Sequence, residues 1–445
     1  MANSLLKFVK FKEVTNWSPH YLINADIGFL KRFPLVKISM FLKKNKMQTE
    51  IKDSESYRRV TIRMNNNGVL LRDTVDGKQI GTKRQFVIKG GQFLVSKIDA
   101  RNGAFGVAPD SLDGAIVTAD FLSFNIDKSL INPLFLELLT STKQFIDYCQ
   151  GESSGTTGRQ RINESTFLNI SVPLPPLNEQ SRIVEMFYSK YNKAQKLEEE
   201  ATRLESSIET YLQKELGIEI VENKKDEKGL RFVKFSEIER WDALSIDLNC
   251  YAFLRKSKYP VKTLENSFEF TSRKWEKDEN KRIYEYIEIG SIDPLLGIIQ
   301  TTKIDAKKPP SRATQVVKTN DLIIGMTRPY LKKFAIVKKE LDGSICSSGF
   351  SIIKASEKYD VRFILEYLMS WISTEQFKNK MTGALYPAIT MEQLKTIILP
   401  LPPLSVQIKI ADTISKVKDQ VKSLRSDAEK LRVDAKETFT KELFS

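Results

Sequence analysis

The sequence predicts a mixed α+β chain. Two tandem globular modules are separated and followed by long helices, which pair within the chain as an antiparallel coiled coil and give the whole a pseudo-twofold symmetry. Three observations predict this. The sequence is written twice, each copy changes abruptly from mixed to highly charged text, and the same proline-rich junction marks both changes.

An internal repeat runs the length of the chain and sets its architecture. Phe8-Val9-Lys10-Phe11-Lys12-Glu13-Val14 returns as Phe232-Val233-Lys234-Phe235-Ser236-Glu237-Ile238, and Trp17 returns as Trp241. Val87-Ile88-Lys89 with Phe93-Leu94-Val95 returns as Val316-Val317-Lys318 with Leu322-Ile323-Ile324, and Leu112-Asp113-Gly114 returns as Leu341-Asp342-Gly343. The clearest copy is Val172-Pro173-Leu174-Pro175-Pro176-Leu177-Asn178-Glu179-Gln180, which reappears as Leu399-Pro400-Leu401-Pro402-Pro403-Leu404-Ser405-Val406-Gln407. The offset changes by only a few residues throughout. One ancestral unit is therefore present in tandem, with small insertions in loops.

Before its prolines each copy mixes β-rich runs (Phe93 to Ile98, Asp321 to Met326), turns such as Asn65-Asn66-Asn67-Gly68, and helical stretches near 132–148 and 361–380. This pattern reads as a globular α/β module. After the prolines, Val184, Phe187, Tyr191, Ala194, Leu197, Ala201, Leu204, Ile208 and Tyr211 follow one another by threes and fours. So do Ala411, Ile414, Val417, Val421, Leu424, Ala428, Leu431 and Ala435. A mean spacing near 3.5 is the seam of a coiled coil rather than the broader stripe of a helix lying on a core. Pro175-Pro176 and Pro402-Pro403 hold the preceding residues extended, and Asn178 and Ser405 are placed to cap the first turn. Roughly 38 residues at about 1.5 Å rise make a rod of about 57 Å. Each seam needs a partner, and the other rod of the same chain supplies one; two chains dimerising through these helices is the alternative. The expected domains are 1–175, 176–222 (helical), 223–402 and 403–445 (helical).

The composition narrows the function. The chain has 445 residues, enough for two or three cores, and 70 Lys plus Arg against 56 Asp plus Glu, a formal charge of +14. Such a balance favours a polyanionic partner, nucleic acid or an anionic surface. No run of about 18 apolar residues and no secretory leader is found, so a cytoplasmic protein is expected. Cys149, Cys250 and Cys346 lie too far apart for a metal knuckle or disulfide framework and read as buried thiols. The single histidine, His20, has no visible partner for zinc or for a nucleophilic triad. Neither GxxxxGK[ST] nor GxGxxG occurs. No metal, cofactor or catalytic residue is expected in this chain.

Gly155-Thr156-Thr157-Gly158-Arg159-Gln160-Arg161-Ile162, then Phe167-Leu168-Asn169-Ile170, then the proline junction at 173–180 with Ile183 beyond, resembles the boundary between target recognition domain and conserved helical region in type I restriction-modification specificity subunits. Thr382-Gly383-Ala384-Leu385-Tyr386-Pro387-Ala388-Ile389, through Gln393-Leu394-Lys395-Thr396-Ile397 to the second junction, looks like the same boundary. Val406 departs from the pattern where the first copy has Glu179. The resemblance covers essentially the whole chain and implies a non-enzymatic adaptor. Each module would read one half of a split duplex target, and the paired rods would fix the gap. Two modification subunits carrying S-adenosylmethionine would methylate adenine N6. Restriction subunits would add ATP- and Mg-dependent translocation and cleavage. The sequence has no [DNS]PP[YFW] methylation motif of its own; its nearest candidate is Lys308-Pro309-Pro310-Ser311.

Reading DNA requires phosphate neutralisation and base-edge donors. The best candidates follow a β-run at equivalent places in the two modules: Lys97 and Arg101 in the first, Arg328, Tyr330, Lys332 and Lys333 in the second. Arg159 and Arg161, beside Gly155 and Gly158, form another basic loop, and Arg273-Lys274-Trp275 is a third cluster, its Trp275 more often a core residue. The competing class is a duplicated coiled-coil scaffold whose heads bind protein.

Overall fold

The computed structural model describes residues 33–151, 161–218, 254, 257–278, 280–298, 300–383 and 385–444. Arg159, His20, Cys250 and the Phe8–Trp17 and Phe232–Trp241 copies lie outside the described residues. The chain divides into two compact units, residues 1–196 with 427–445, and residues 197–426.

In the first unit the strands are β1 (Leu35–Lys37), β2 (Leu42–Lys44), β3 (Gln48–Glu50), β4 (Ser56–Ile62), β5 (Val69–Asp76), β6 (Arg84–Val87), β7 (Phe93–Ser96), β8 (Phe105–Val107), β9 (Ile116–Val117) and β10 (Phe121–Ile126). Helices α1 (Pro133–Thr140), α2 (Lys143–Gly151) and α3 (Glu164–Asn169) precede β11 (Ser171–Pro173) and the long α4 (Leu177–Leu216). The strands form a five-stranded sheet ordered β3-β6-β9-β4-β5, a four-stranded sheet β2-β10-β7-β8, and the pair β1-β11.

The second unit carries β12 (Val261–Thr263), β13 (Phe270–Thr271), β14 (Ile283–Ile287), β15 (Ile292–Asp293), β16 (Gly297–Ile298), β17 (Thr302–Asp305), β18 (Ala313–Val316), β19 (Leu322–Gly325), β20 (Phe334–Ile336), β21 (Ile345–Ser347) and β22 (Phe350–Ile353). Then come α5 (Val361–Leu368), α6 (Trp371–Lys380), α7 (Met391–Lys395), β23 (Ile398–Pro400) and the long α8 (Leu404–Phe444). The sheet β13-β22-β19-β20 matches the four-stranded sheet of the first unit, and β12-β23 matches β1-β11. The sheet β17-β14-β21-β18 repeats β5-β4-β9-β6, with a parallel pair at its centre in both units (β4-β9 and β14-β21). The first unit adds the edge strand β3, and the second adds the two-stranded pair β15-β16. The duplication read in the sequence is thus a duplication of sheet topology.

Central strands β7 and β19 are buried at every position. Such continuous apolar runs belong to strands covered on both faces. In the first unit they meet an aromatic core in which Phe93, Phe105, Phe124, Phe145 and Phe167 are packed with Phe135, Phe187 and Phe439. In the second, Phe334, Phe363, Tyr367 and Phe377 pack with Leu212, Leu216, Ile410 and Ile414.

The long helices pair antiparallel in each unit. In the first, Arg182 meets Glu442 at 2.8 Å and Lys190 meets Asp434 at 2.8 Å, while the Phe187 and Phe439 rings lie 6.1 Å apart. In the second, Arg425 bridges Glu198 at 3.1 Å and Glu205 at 2.7 Å. The pairing is therefore intramolecular. Ala194, Ala201, Val421, Ala428 and Ala435 are fully buried, as seam positions should be. Two details differ from the sequence reading. Ile183, Val184 and Phe187 at one end of α4 and Leu212 and Leu216 at the other, like Ile410, Ile414 and Phe439 of α8, join the globular cores, so part of each helix is a core helix as well as a coiled-coil strand. The helices begin at Leu177 and Leu404, so Asn178 and Ser405 sit inside the first turn rather than capping it; the Pro176 carbonyl accepts the Glu179 and Gln180 N–H groups, and the Pro403 carbonyl those of Val406 and Gln407.

Cys149 and Cys346 are buried, and burial pushes the Cys346 thiol up to about 12. Among the described residues no helix is long and apolar enough to cross a membrane, and no group of three or more His, Cys, Asp or Glu side chains is placed to hold a metal ion.

Candidate nucleic-acid interface

In each unit the tertiary structure joins two segments that the sequence keeps more than sixty residues apart. In the first, β7 runs out at Ser96. The Lys97 N–H donates to the Asp120 carbonyl and the Lys97 carbonyl accepts the Ile162 N–H, both at 2.9 Å. In the second, β19 ends at Gly325, and the Met326 carbonyl accepts the Ile389 N–H at 3.0 Å. The repeat aligns Lys97 with Met326 and Ile162 with Ile389, so the same backbone bond is made twice. The loop after the buried strand and the loop before the proline junction, read as separate candidates, form one surface.

Around Lys97, Arg161 makes an ion pair with Asp120 at 3.0 Å, both side chains about half exposed. Such a pair stabilises the fold by only about 0–1 kcal/mol and is readily exchanged for a phosphate. Arg101 lies in the 3-10 turn Ala100–Asn102, which ends at Gly103 in the left-handed region, φ 72°. Sequence reasoning missed what meets this turn. The hairpin turn between β4 and β5 places Asn65 and Asn66 at φ 58° and 57°, and their N–H groups donate to the Asn102 and Gly103 carbonyls at 2.8 and 2.9 Å. Exposed Arg63 precedes this turn. The Asn-Asn-Asn-Gly string announced a turn; nothing local announced its destination.

In the second unit the strand exit is tightly folded. A Cβ on Gly325 would come within 2.9 Å of the Lys333 carbonyl, so only glycine fits there. Arg328 sits at φ 48°, ahead of the Pro329–Leu331 turn. Its N–H donates to the Pro387 carbonyl at 2.7 Å, its Nη2 donates to the Leu385 carbonyl at 3.2 Å, and its guanidinium lies 5.2 Å from the Tyr386 ring centre. Tyr330, in the same turn, is partly exposed.

Three predicted contacts are engaged within the fold. Arg273 grips Asp321, which is 1% exposed, through two bonds of 2.5 and 3.2 Å. Lys333 donates its Nζ to the Ile292 carbonyl at 2.6 Å. Lys332, at φ 55°, turns into a cleft with Glu209, Glu366 and Lys418, where burial pulls its pKa below the usual lysine range. Trp275 packs edge-on against Tyr284, a core contact. Of the charged candidates in the described residues, Lys97, Arg101, Arg161 and Arg328 lie along the two strand exits.

The model of the type I restriction modification DNA specificity domain matches residues 35–205 and 257–431. A type I restriction enzyme MjaVIII specificity subunit from Methanocaldococcus jannaschii is 24% identical over 293 residues, and a putative MjaX specificity subunit from the same organism is 22% identical over 294; these alignments cover 63% and 66% of this chain and 63% of each relative. The HindI specificity subunit of Haemophilus influenzae is 26% identical over 118 residues, 26% of either chain. The chain thus spans between about a quarter and under two thirds of these relatives. A solved chain described under "Structural basis underlying complex assembly and conformational transition of the type I R-M system" has the same fold, with a TM-score of 0.56 at 16% identity, over 93% of this chain and 98% of that one. With two matched segments that together take in most of its length, the chain belongs to the family of type I restriction modification DNA specificity domains.

Proposed function

We propose that this chain is the non-catalytic specificity subunit of a type I restriction-modification complex, and that each unit reads one half of a bipartite duplex target. The observation that carries this reading is the repeated strand-exit surface, with Lys97, Arg101 and Arg161 in one unit and Arg328 and Tyr330 in the other, inside a two-copy match to a DNA specificity domain. That match also supports DNA rather than protein as what the heads bind. Arg159 belongs to the same basic loop by sequence. On this reading residues 1–175 and 223–402 are the target recognition domains, and 176–222 and 403–445 are helical spacers that fix the gap between half-sites. Two modification subunits supply S-adenosylmethionine and adenine-N6 methylation; restriction subunits supply ATP- and Mg-dependent cleavage; the complex works in the cytoplasm.

The test is duplex binding by the chain assembled with its modification subunits. Contact with about 6 to 10 phosphates lowers affinity by about 10³ to 10⁵ between 50 and 200 mM salt. A flat salt response overturns the reading.

A further inference from the structure

The most exposed large apolar side chains among the described residues are neighbours, Leu385 at 82% and Tyr386 at 73%. They stand at the apex of a loop closed by Thr382 and Ala388, whose backbones exchange both N–H···O bonds at 3.0 Å. Gly383 turns the chain at φ 96°, a conformation that a side chain would strain. The loop is braced from beneath by Arg328, which bonds the Leu385 and Pro387 carbonyls and stacks on the Tyr386 ring. Ile389, just past the loop, is pinned to Met326. An apolar pair held out in water on a doubly anchored loop needs an occupant.

The cation beneath the apex and the surface it adjoins identify the occupant's chemistry. Arg328 stands directly beneath the apex, whereas Lys378 is paired with Glu375 at 2.7 Å and Lys333 with the Ile292 carbonyl. The apex adjoins the strand exit proposed above to meet DNA, to which it is tied by the Ile389–Met326 and Arg328–Pro387 backbone bonds, and the Arg328 guanidinium sets a cation against its ring. A polyanion that also offers flat apolar faces is nucleic acid, whose backbone takes the cations and whose bases take the apex.

Resting on the DNA reading proposed above, we infer that Leu385 and Tyr386 form an apolar wedge that enters duplex DNA at a base step within the half-site read by the second unit, with Arg328 as the residue that positions it. Leu385 separates the step, and the Tyr386 ring stacks on the base so exposed. The cation-π contact orients the ring from its other face. The wedge contributes specificity through the ease with which a given step unstacks, so it selects flexible pyrimidine–purine steps without hydrogen bonds to base edges.

The experiment uses the chain assembled with its modification subunits. The probe is the duplex motif that methylome sequencing of cells carrying the system returns, with 2-aminopurine placed in turn at each adenine of both half-sites. Apart from the methylated adenines, whose extrusion by the modification subunits brightens both half-sites, binding raises fluorescence at a position in one half-site only. Leu385→Ala with Tyr386→Ala abolishes the rise and weakens binding by about 5- to 100-fold. Tyr386→Phe keeps both, since the ring remains. Arg328→Ala lowers the fluorescence rise, and Arg328→Lys restores part of it. Both apex side chains are exposed, so melting temperatures stay near that of the unsubstituted chain and establish that the variants fold. Full affinity and full fluorescence in the double variant overturn the wedge. So does loss of association with the modification subunit on size-exclusion chromatography, which would make the apex a protein contact. Failure of the unsubstituted complex to bind the duplex at all overturns the DNA reading itself, and the wedge with it.

Discussion

The Asn132 N–H donates to the side-chain carbonyl of Gln180 at 2.7 Å, tying the start of helix α4 to the N-cap of helix α1. Gln180 is fully buried, and its Nε2 also donates to the Leu130 and Pro175 carbonyls at 3.0 and 2.8 Å. In the other copy Gln407 accepts the N–H of Asp360, the N-cap of α5, at 3.0 Å and donates to the Pro402 carbonyl at 2.9 Å. The glutamine kept in both proline junctions is a clamp between long helix and globular module. Each buried group left without a partner costs about 1–3 kcal/mol. Gln180→Ala, which orphans three groups, should therefore destabilise its unit more than Gln407→Ala, which orphans two. Urea denaturation of both variants checks the order.

Arg273→Ala should act on stability. It leaves the Asp321 carboxylate buried, with the Lys318 N–H at 2.8 Å as its remaining hydrogen bond. Removing one member of such a pair costs roughly 3 kcal/mol. Arg161→Ala breaks only an exposed pair and should cost under about 1 kcal/mol while weakening duplex binding. Parallel melting and DNA titration of the two variants should show opposite patterns; a DNA defect in Arg273→Ala without a melting shift would return it to the interface.

Glu137 supplies a pH test. Burial pushes its carboxyl pKa up from 4.5, against the pull of the Val107 N–H it accepts at 2.8 Å. A carboxyl with a raised folded-state pKa binds its proton more tightly folded than unfolded, so its ionisation removes stability as pH rises from about 4.5 through the raised value. Glu137→Gln keeps an acceptor for Val107 and carries no charge. It should raise the melting temperature at pH 7, by a margin that shrinks as pH falls through the raised value and is gone below about 4.5.

Modular reading has its own signature. Replacing residues 1 to about 170 by those of a relative should change one half of the methylated motif and leave the other half as it was. Methylome sequencing reads this directly, and a change in both halves would count against independent heads.

What the sequence alone determined is what repeats locally. The motifs that recur in the two copies, the strand runs that became β7 and β19, and the 3.5-residue spacing that became α4 and α8 each depend on residues within a few turns of each other. Backbone preference and apolar periodicity suffice to specify such features. Glu179 and Val406 show the limit of that reading. The sequence marked their difference, but only the fold shows that Glu179 holds Arg182 at 2.7 Å, whereas Val406 packs on the second unit's core.

The tertiary structure decided the fate of individual side chains, because that is fixed by partners far along the chain. Arg273 and Arg328 read alike as basic residues beside an aromatic, yet a buried carboxylate 48 residues away claims the first, and a loop 57 residues away receives the second. Lys333 is drawn to the Ile292 carbonyl, 41 residues earlier. Asn65 and Asn66 enter the Lys97–Arg101 surface because two carbonyls there need donors. Hydrogen-bond satisfaction in a closed interior is a condition on the whole fold, and no local window of the sequence contains it.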